Sequence, residues 1–137
     1  MFEQNKAIAR SIFEDGWNQG NPAVLEAYAS PDFVNYTPVP GFTADFEGWK
    51  NLMFMYRTAF PDLHLQIEHL TAEGAQVAVH FTASGTHQGD LMGNPPTGKK
   101  AVIQGMVLLH IENGKVVARW EVLDSMSLMA QLGLLPV

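Results

Sequence analysis

Apolar residues recur at steps of three and four up to Phe60 and at every second position after Pro61, so the chain reads as helices followed by strands. Ala7, Ile8, Ile12, Phe13 and Trp17 mark an amphipathic helix over Glu3 to Asn18, closed by Gly16, Gly20 and Asn21-Pro22. Asn21 as a cap and Pro22 as a first helical residue predict a second helix, Pro22 to Ala29, ended by Ser30-Pro31. Phe33 to Tyr36 is then a short extended piece before a loop, Thr37 to Thr43, whose flanking aromatics suit a lid. Trp49, Leu52, Met53, Tyr56 and Phe60 predict a third helix from Asp45 to Ala59, stopped by Pro61.

Beyond Pro61, Leu63, Leu65 and Ile67 alternate with polar residues, Glu73-Gly74 makes a turn, and Val77, Val79 and Phe81 alternate again. A second pair, Ala101 to Ile111 and Val116 to Asp124, is joined through Asn113-Gly114, a strong hairpin signal. Helices first and antiparallel strands afterwards predict one α+β domain over residues 1–137, with three N-terminal helices closing one side of a curved sheet around an apolar pocket.

The chain has 137 residues, enough for one core, and with 47% hydrophobic and 16% charged residues it is sparing with charge. That thrift points to surface covered by a pocket or a second subunit. A net charge of −6 argues against nucleic acid or an anionic membrane as partner. With zero cysteines there is no thiol chemistry, and the order of residues at Met1 to Lys6 is not that of a signal peptide, so a cytoplasmic location is expected.

The chemistry is concentrated near the end of the last strand. Counting alternate residues from Val116 turns Ala118, Trp120 and Val122 inward and Arg119 and Glu121 to water, which places Asp124 at the inner rim. A carboxylate held against apolar surface loses hydration, which favours its protonated form and suits it to carrying protons near neutral pH. The competing reading is that Asp124 ends the strand and caps a helix from Ser125 to Leu132.

The stretch Gly85-Thr86-His87-Gln88-Gly89 through Pro95-Pro96-Thr97-Gly98-Lys99 resembles the SnoaL-like polyketide cyclases and ester cyclases. Ala59-Phe60-Pro61-Asp62-Leu63, Asn113-Gly114-Lys115, the spacing from Trp120 to Asp124, and Gln131-Leu132-Gly133 match as well, in the family's order. The resemblance implies the cone-shaped α+β fold shared with nuclear transport factor 2, ketosteroid isomerase and scytalone dehydratase. It implies Asp124 as acid/base for an intramolecular aldol closure, no cofactor, and dimers or higher homo-oligomers formed through the outer sheet face. Candidate hydrogen-bond partners are His87, Asn35 and Tyr36, with Trp17, Phe33, Trp49, Tyr56 and Trp120 shaping an aromatic pocket. One position departs: Val107 stands where the cyclases carry a histidine, and His110, three residues on, faces the other side of its strand.

No histidines and carboxylates fall together in a metal-ligand pattern, so no metal is expected. Gly93 to Lys100 imitates a phosphate-binding loop on paper, but Pro95 and Pro96 remove amide donors and a strand follows. Two classes of function remain open. One is a cofactor-independent enzyme acting on a small apolar carbonyl compound, with isomerase, dehydratase or epoxide hydrolase variants. The other is a module of the same fold that binds a small ligand without chemistry.

Overall fold

The stripe of Ile8, Ile12, Phe13 and Trp17 is buried by a helix that changes pitch. In the computed structural model, which describes residues 2–135, α1 (Phe2–Ser11) runs into a π-helical turn, Ile12–Trp17. The wider turn puts Ile12, Phe13, Gly16 and Trp17 all on the buried side, and the Asn18 N–H reaches the Phe13 carbonyl at 3.0 Å, five residues back. Gly16 allows the next helix to close in, since a Cβ there would lie 2.7 Å from Leu25 Cδ1.

That next helix, α2 (Pro22–Tyr28), starts at Asn21, whose side chain accepts from the Ala23 N–H at 3.1 Å. It stops one residue short of the expected end because Ala29 opens β1 (Ala29–Asn35), a longer strand than the extended piece read from Phe33. Pro31 is tolerated because β1 is an edge strand, paired irregularly with one neighbour. In α3 (Phe46–Ala59) the Asp45 carboxylate caps the first turn, accepting from the Thr43 hydroxyl and from the Gly48 N–H at 3.0 Å. Those bonds hold the Asp45 carboxyl below the usual range, the hydroxyl contributing most.

β2 (His64–Glu73), β3 (Gln76–Thr86), β4 (Lys100–Glu112) and β5 (Lys115–Leu123) follow in antiparallel order, and β1 joins β5 in parallel. The sheet order is β1-β5-β4-β3-β2. Val77, Val79 and Phe81 of β3 and Ile103, Val107 and Leu109 of β4 point into the core under the helices. The three N-terminal helices are as expected, and a further helix, α4 (Ser125–Gln131), follows β5 where the competing reading of Asp124 placed one, so four helices pack on the curved open sheet. Gln131 ties α4 to β4: its side chain accepts from the Val102 N–H at 2.8 Å and donates to the Val102 carbonyl at 2.9 Å.

The inner face of β5 is the reverse of what strict alternation predicts. Ile111 pairs with Val116, but His110 pairs with Ala118, so Val117 is an extra residue bulged out of the ladder. One inserted residue inverts every side chain after it. Arg119, Glu121 and Leu123 therefore lie opposite the inward Leu109, Val107 and Gly105, while Trp120 and Val122 face outward with Leu108 and Met106. Arg119 is 3% exposed and Val122 is 75% exposed, which corrects the assignment of Arg119 and Glu121 to water.

Candidate functional site

Between the helices and the sheet the apolar faces do not close completely. They leave a cavity of about 70 Å³, and the cleft counted with its open mouth measures about 760 Å³. Ile12, Phe13 and Trp17 of the π-helical turn form one wall, Trp49 and Tyr56 of α3 another, and Phe81, Ile103, Val107 and Leu109 the floor. Gly105 keeps the floor low, since a Cβ there would lie 2.5 Å from Phe81 Cζ.

Two charged groups stand in this apolar wall, both on β5. Arg119 Nη2 contacts Glu121 Oε1 at 3.2 Å, and both residues line the cavity. The guanidinium also lies 5.8 Å from the centre of the Trp49 ring. Arg119 Nη1 and Trp49 Nε1 are both buried and have no hydrogen-bond acceptor among the described residues. Beside them, burial pushes the Tyr56 phenol up to about 12; the Glu121 charge adds to the rise and the Arg119 charge opposes it. Tyr56 therefore remains a hydrogen-bond donor throughout the neutral range.

Glu121 is held from behind by β1. Its backbone N–H donates to Thr37 Oγ1 at 2.8 Å, and Asn35 Oδ1 accepts from the Thr37 N–H at 3.1 Å and from its hydroxyl at 3.3 Å. Asn35 is thus buried two hydrogen bonds from the Glu121 backbone N–H and does not line the cavity. Of the other aromatics named from the sequence, Trp17, Trp49 and Tyr56 line it; Phe33 stacks behind Trp49 at 4.8 Å. Tyr36 and Trp120 stack on each other at 4.9 Å away from the cavity, with Tyr36 57% exposed.

Asp124 is exposed and caps α4, accepting from the Ser127 N–H at 3.1 Å. The inverted parity of β5 takes it off the inner rim, and it is not among the cavity-lining residues. His87 is fully buried in the connection between β3 and β4. Its Nδ1 accepts from the Thr97 N–H at 3.2 Å, so the ring hydrogen sits on Nε2, and its ring packs on Phe60 at 5.6 Å. The backbone clasps the same loop, with the His87 N–H donating to the Lys99 carbonyl at 2.9 Å. The Gly85 to Gly89 and Ala59 to Leu63 segments meet here: the Thr86 N–H and hydroxyl donate to the Asp62 carboxylate at 2.7 and 2.8 Å, which lowers the pKa of Asp62. His87 serves this junction and does not line the cavity.

Val107, the position at which the resemblance leads one to expect a histidine, is the direct cross-strand neighbour of Glu121. His110 faces the other way and contacts Glu112 at 3.1 Å. Sequence reasoning missed Arg119 and Glu121 because it carried one parity through β5. The available signal was the run Val116-Val117-Ala118, three apolar residues in succession at the point where alternation breaks. Among the described residues no group of three or more potential ligands could hold a metal ion, and no helix is long and apolar enough to cross a membrane.

The family profile of SnoaL-like polyketide cyclases matches residues 7–132. The chain is 23% identical over 124 residues to nogalonic acid methyl ester cyclase of Streptomyces nogalater, covering 85% of this chain and 89% of that protein. Among solved structures it is similar to AclR, a proposed hydroxylase from Streptomyces galilaeus, at 32% identity and a TM-score of 0.88, covering 99% of this chain and 100% of AclR. It is also similar to IdmH, a proposed polyketide cyclase from Streptomyces antibioticus, at 28% identity and a TM-score of 0.83, covering 95% and 99% of the two chains.

Proposed function

The chain belongs to the SnoaL-like polyketide cyclases, and on that premise we propose that it performs cofactor-independent acid/base chemistry on a small, largely apolar carbonyl compound, with Glu121 as the proton carrier. The observation that supports this reading is a carboxylate standing beside Arg119 in a largely apolar cavity wall, on a strand whose backbone at Glu121 is fixed by Thr37 and Asn35. Glu121 takes a proton from the carbon next to a carbonyl, and the C–H electron pair moves onto the carbonyl oxygen as an enolate. In a ring closure the enolate carbon attacks a second carbonyl of the same molecule. The new alkoxide then recovers the proton from Glu121. A positioned group of this kind contributes about 10²- to 10⁴-fold.

Asp124 is the rival proton carrier, and Glu121→Gln and Asp124→Asn separate the two. The assay uses nogalonic acid methyl ester, the substrate implied by the name of the Streptomyces nogalater relative, and related β-keto esters. Glu121→Gln is expected to lower kcat by about 10²- to 10⁴-fold with KM little changed, and Asp124→Asn to retain turnover. The opposite pattern would transfer the role to Asp124. A second reading rests on the likeness to AclR: a hydroxylase would add the mass of one oxygen atom to its product, whereas aldol closure adds none, and mass spectrometry of the product distinguishes them.

A further inference from the structure

Arg119 offers more hydrogen-bond donors than Glu121 uses. Nη2 contacts the carboxylate, whereas Nη1 is buried and has no acceptor among the described residues. The Trp49 indole N–H is in the same condition, and the guanidinium lies 5.8 Å from that ring. Buried donors without acceptors cost about 1–3 kcal/mol each, so a pair of them in a cavity wall calls for a reason. Both residues line the same cavity as Glu121. The cavity wall is electroneutral at rest, since Arg119 and Glu121 cancel.

We propose that Arg119, with Trp49 beside it, is the receptor for an enolate oxygen, so that the substrate is an enolisable carbonyl compound that arrives uncharged and becomes an anion inside the cavity. This deepens the reading of Glu121 as proton carrier and rests on it. When the proton moves from carbon to the Glu121 carboxylate, the negative charge moves from Glu121 to the substrate oxygen. Arg119 then exchanges one anionic partner for the other, and the wall plus its ligand never carries a net charge. Fixed donors that meet charge where it develops supply a large share of catalysis in dry sites. A 1,3-dicarbonyl compound fits best, because its enolate charge rests mostly on oxygen and its C–H is acidic enough for a carboxylate.

The test is binding of 4-nitrophenol, whose visible phenolate band reports a captured oxyanion, with 4-nitroanisole as the uncharged control. In the wild type Glu121 occupies Arg119 and phenolate binds weakly. Glu121→Gln frees the guanidinium, and phenolate affinity is expected to rise at least about tenfold while nitroanisole affinity stays level. The double variant Arg119→Met/Glu121→Gln, which leaves no buried charge to unfold the protein, is expected to lose that gain. The proposal is overturned if Glu121→Gln shows no gain, if nitroanisole gains equally, if the double variant keeps the gain, or if no protein binds phenolate. Turnover is not read in this titration. A Glu121→Gln protein that stays active removes Glu121 as base and leaves the phenolate result to decide the role of Arg119.

Discussion

On the inner face of the β4–β5 hairpin, Arg119 and Glu121 are set among Val107, Leu109 and Ile103, whereas the outer face of the same two strands exposes Val102, Met106 and Val122. Each face carries the residues that bulk solvation would send to the other. Charge inside costs desolvation, and apolar side chains outside risk unwanted association. The expectation that follows, from the proposed chemistry and from the family resemblance, is that the inner face serves a small molecule and the outer face a second copy of the chain. On that expectation, substitutions on the two faces of one hairpin have separable effects.

The comparison breaks first at Arg119. Arg119→Met leaves Glu121 unpaired in the wall and is expected to cost about 3–5 kcal/mol, while Arg119→Met/Glu121→Leu recovers most of the loss because neither charge remains. Urea unfolding of the two variants checks this, and equal stabilities would mean that Glu121 is well hydrated. Next comes Tyr56, which reports how dry the inner face is. Its phenol ionises at about 12 in the fold against 10 in the unfolded chain. The unfolded state therefore loses its proton first, and stability present below pH 10 falls as pH rises toward 12, by at most about 3 kcal/mol. Tyr56→Phe is expected to flatten that alkaline fall in a pH series of thermal melts.

The outer face should respond with almost no change in stability. Met106→Glu with Val122→Glu adds charge to two exposed positions, 52% and 75% accessible. It is expected to shift folding stability by about 0.5 kcal/mol or less. The same change should convert a homo-oligomer to monomers in light scattering while leaving phenolate binding in place. An unchanged mass would remove the outer face as the assembly surface.

Much of the fold was legible because periodicity reports it locally. α3 begins and ends within one residue of the span read from Trp49, Leu52, Met53 and Tyr56, and Asn113-Gly114 marks the turn between β4 and β5. The π-helical turn at Ile12–Trp17 was invisible, since its apolar spacing also suits an α-helix. β1 was read short because Ser30-Pro31 signals a break, and only pairing with β5 makes an edge strand of it. In the site, Trp17, Trp49 and Tyr56 were legible from helix faces. Arg119 and Glu121 were not, because the apolar run Val116-Val117-Ala118 signals that alternation breaks without fixing which residue is extra, and pairing with β4 is what bulges Val117.

That bulge gives β5 a phase, in the sense that a codon register has one. Everything downstream of Val117 is read by the cavity in one of two frames, Arg119, Glu121 and Leu123 or Trp120, Val122 and Asp124, and one residue more or less selects between them. Sequences matched by letters alone across such a point can agree at every aromatic and still exchange the identity of the acid that faces the cavity.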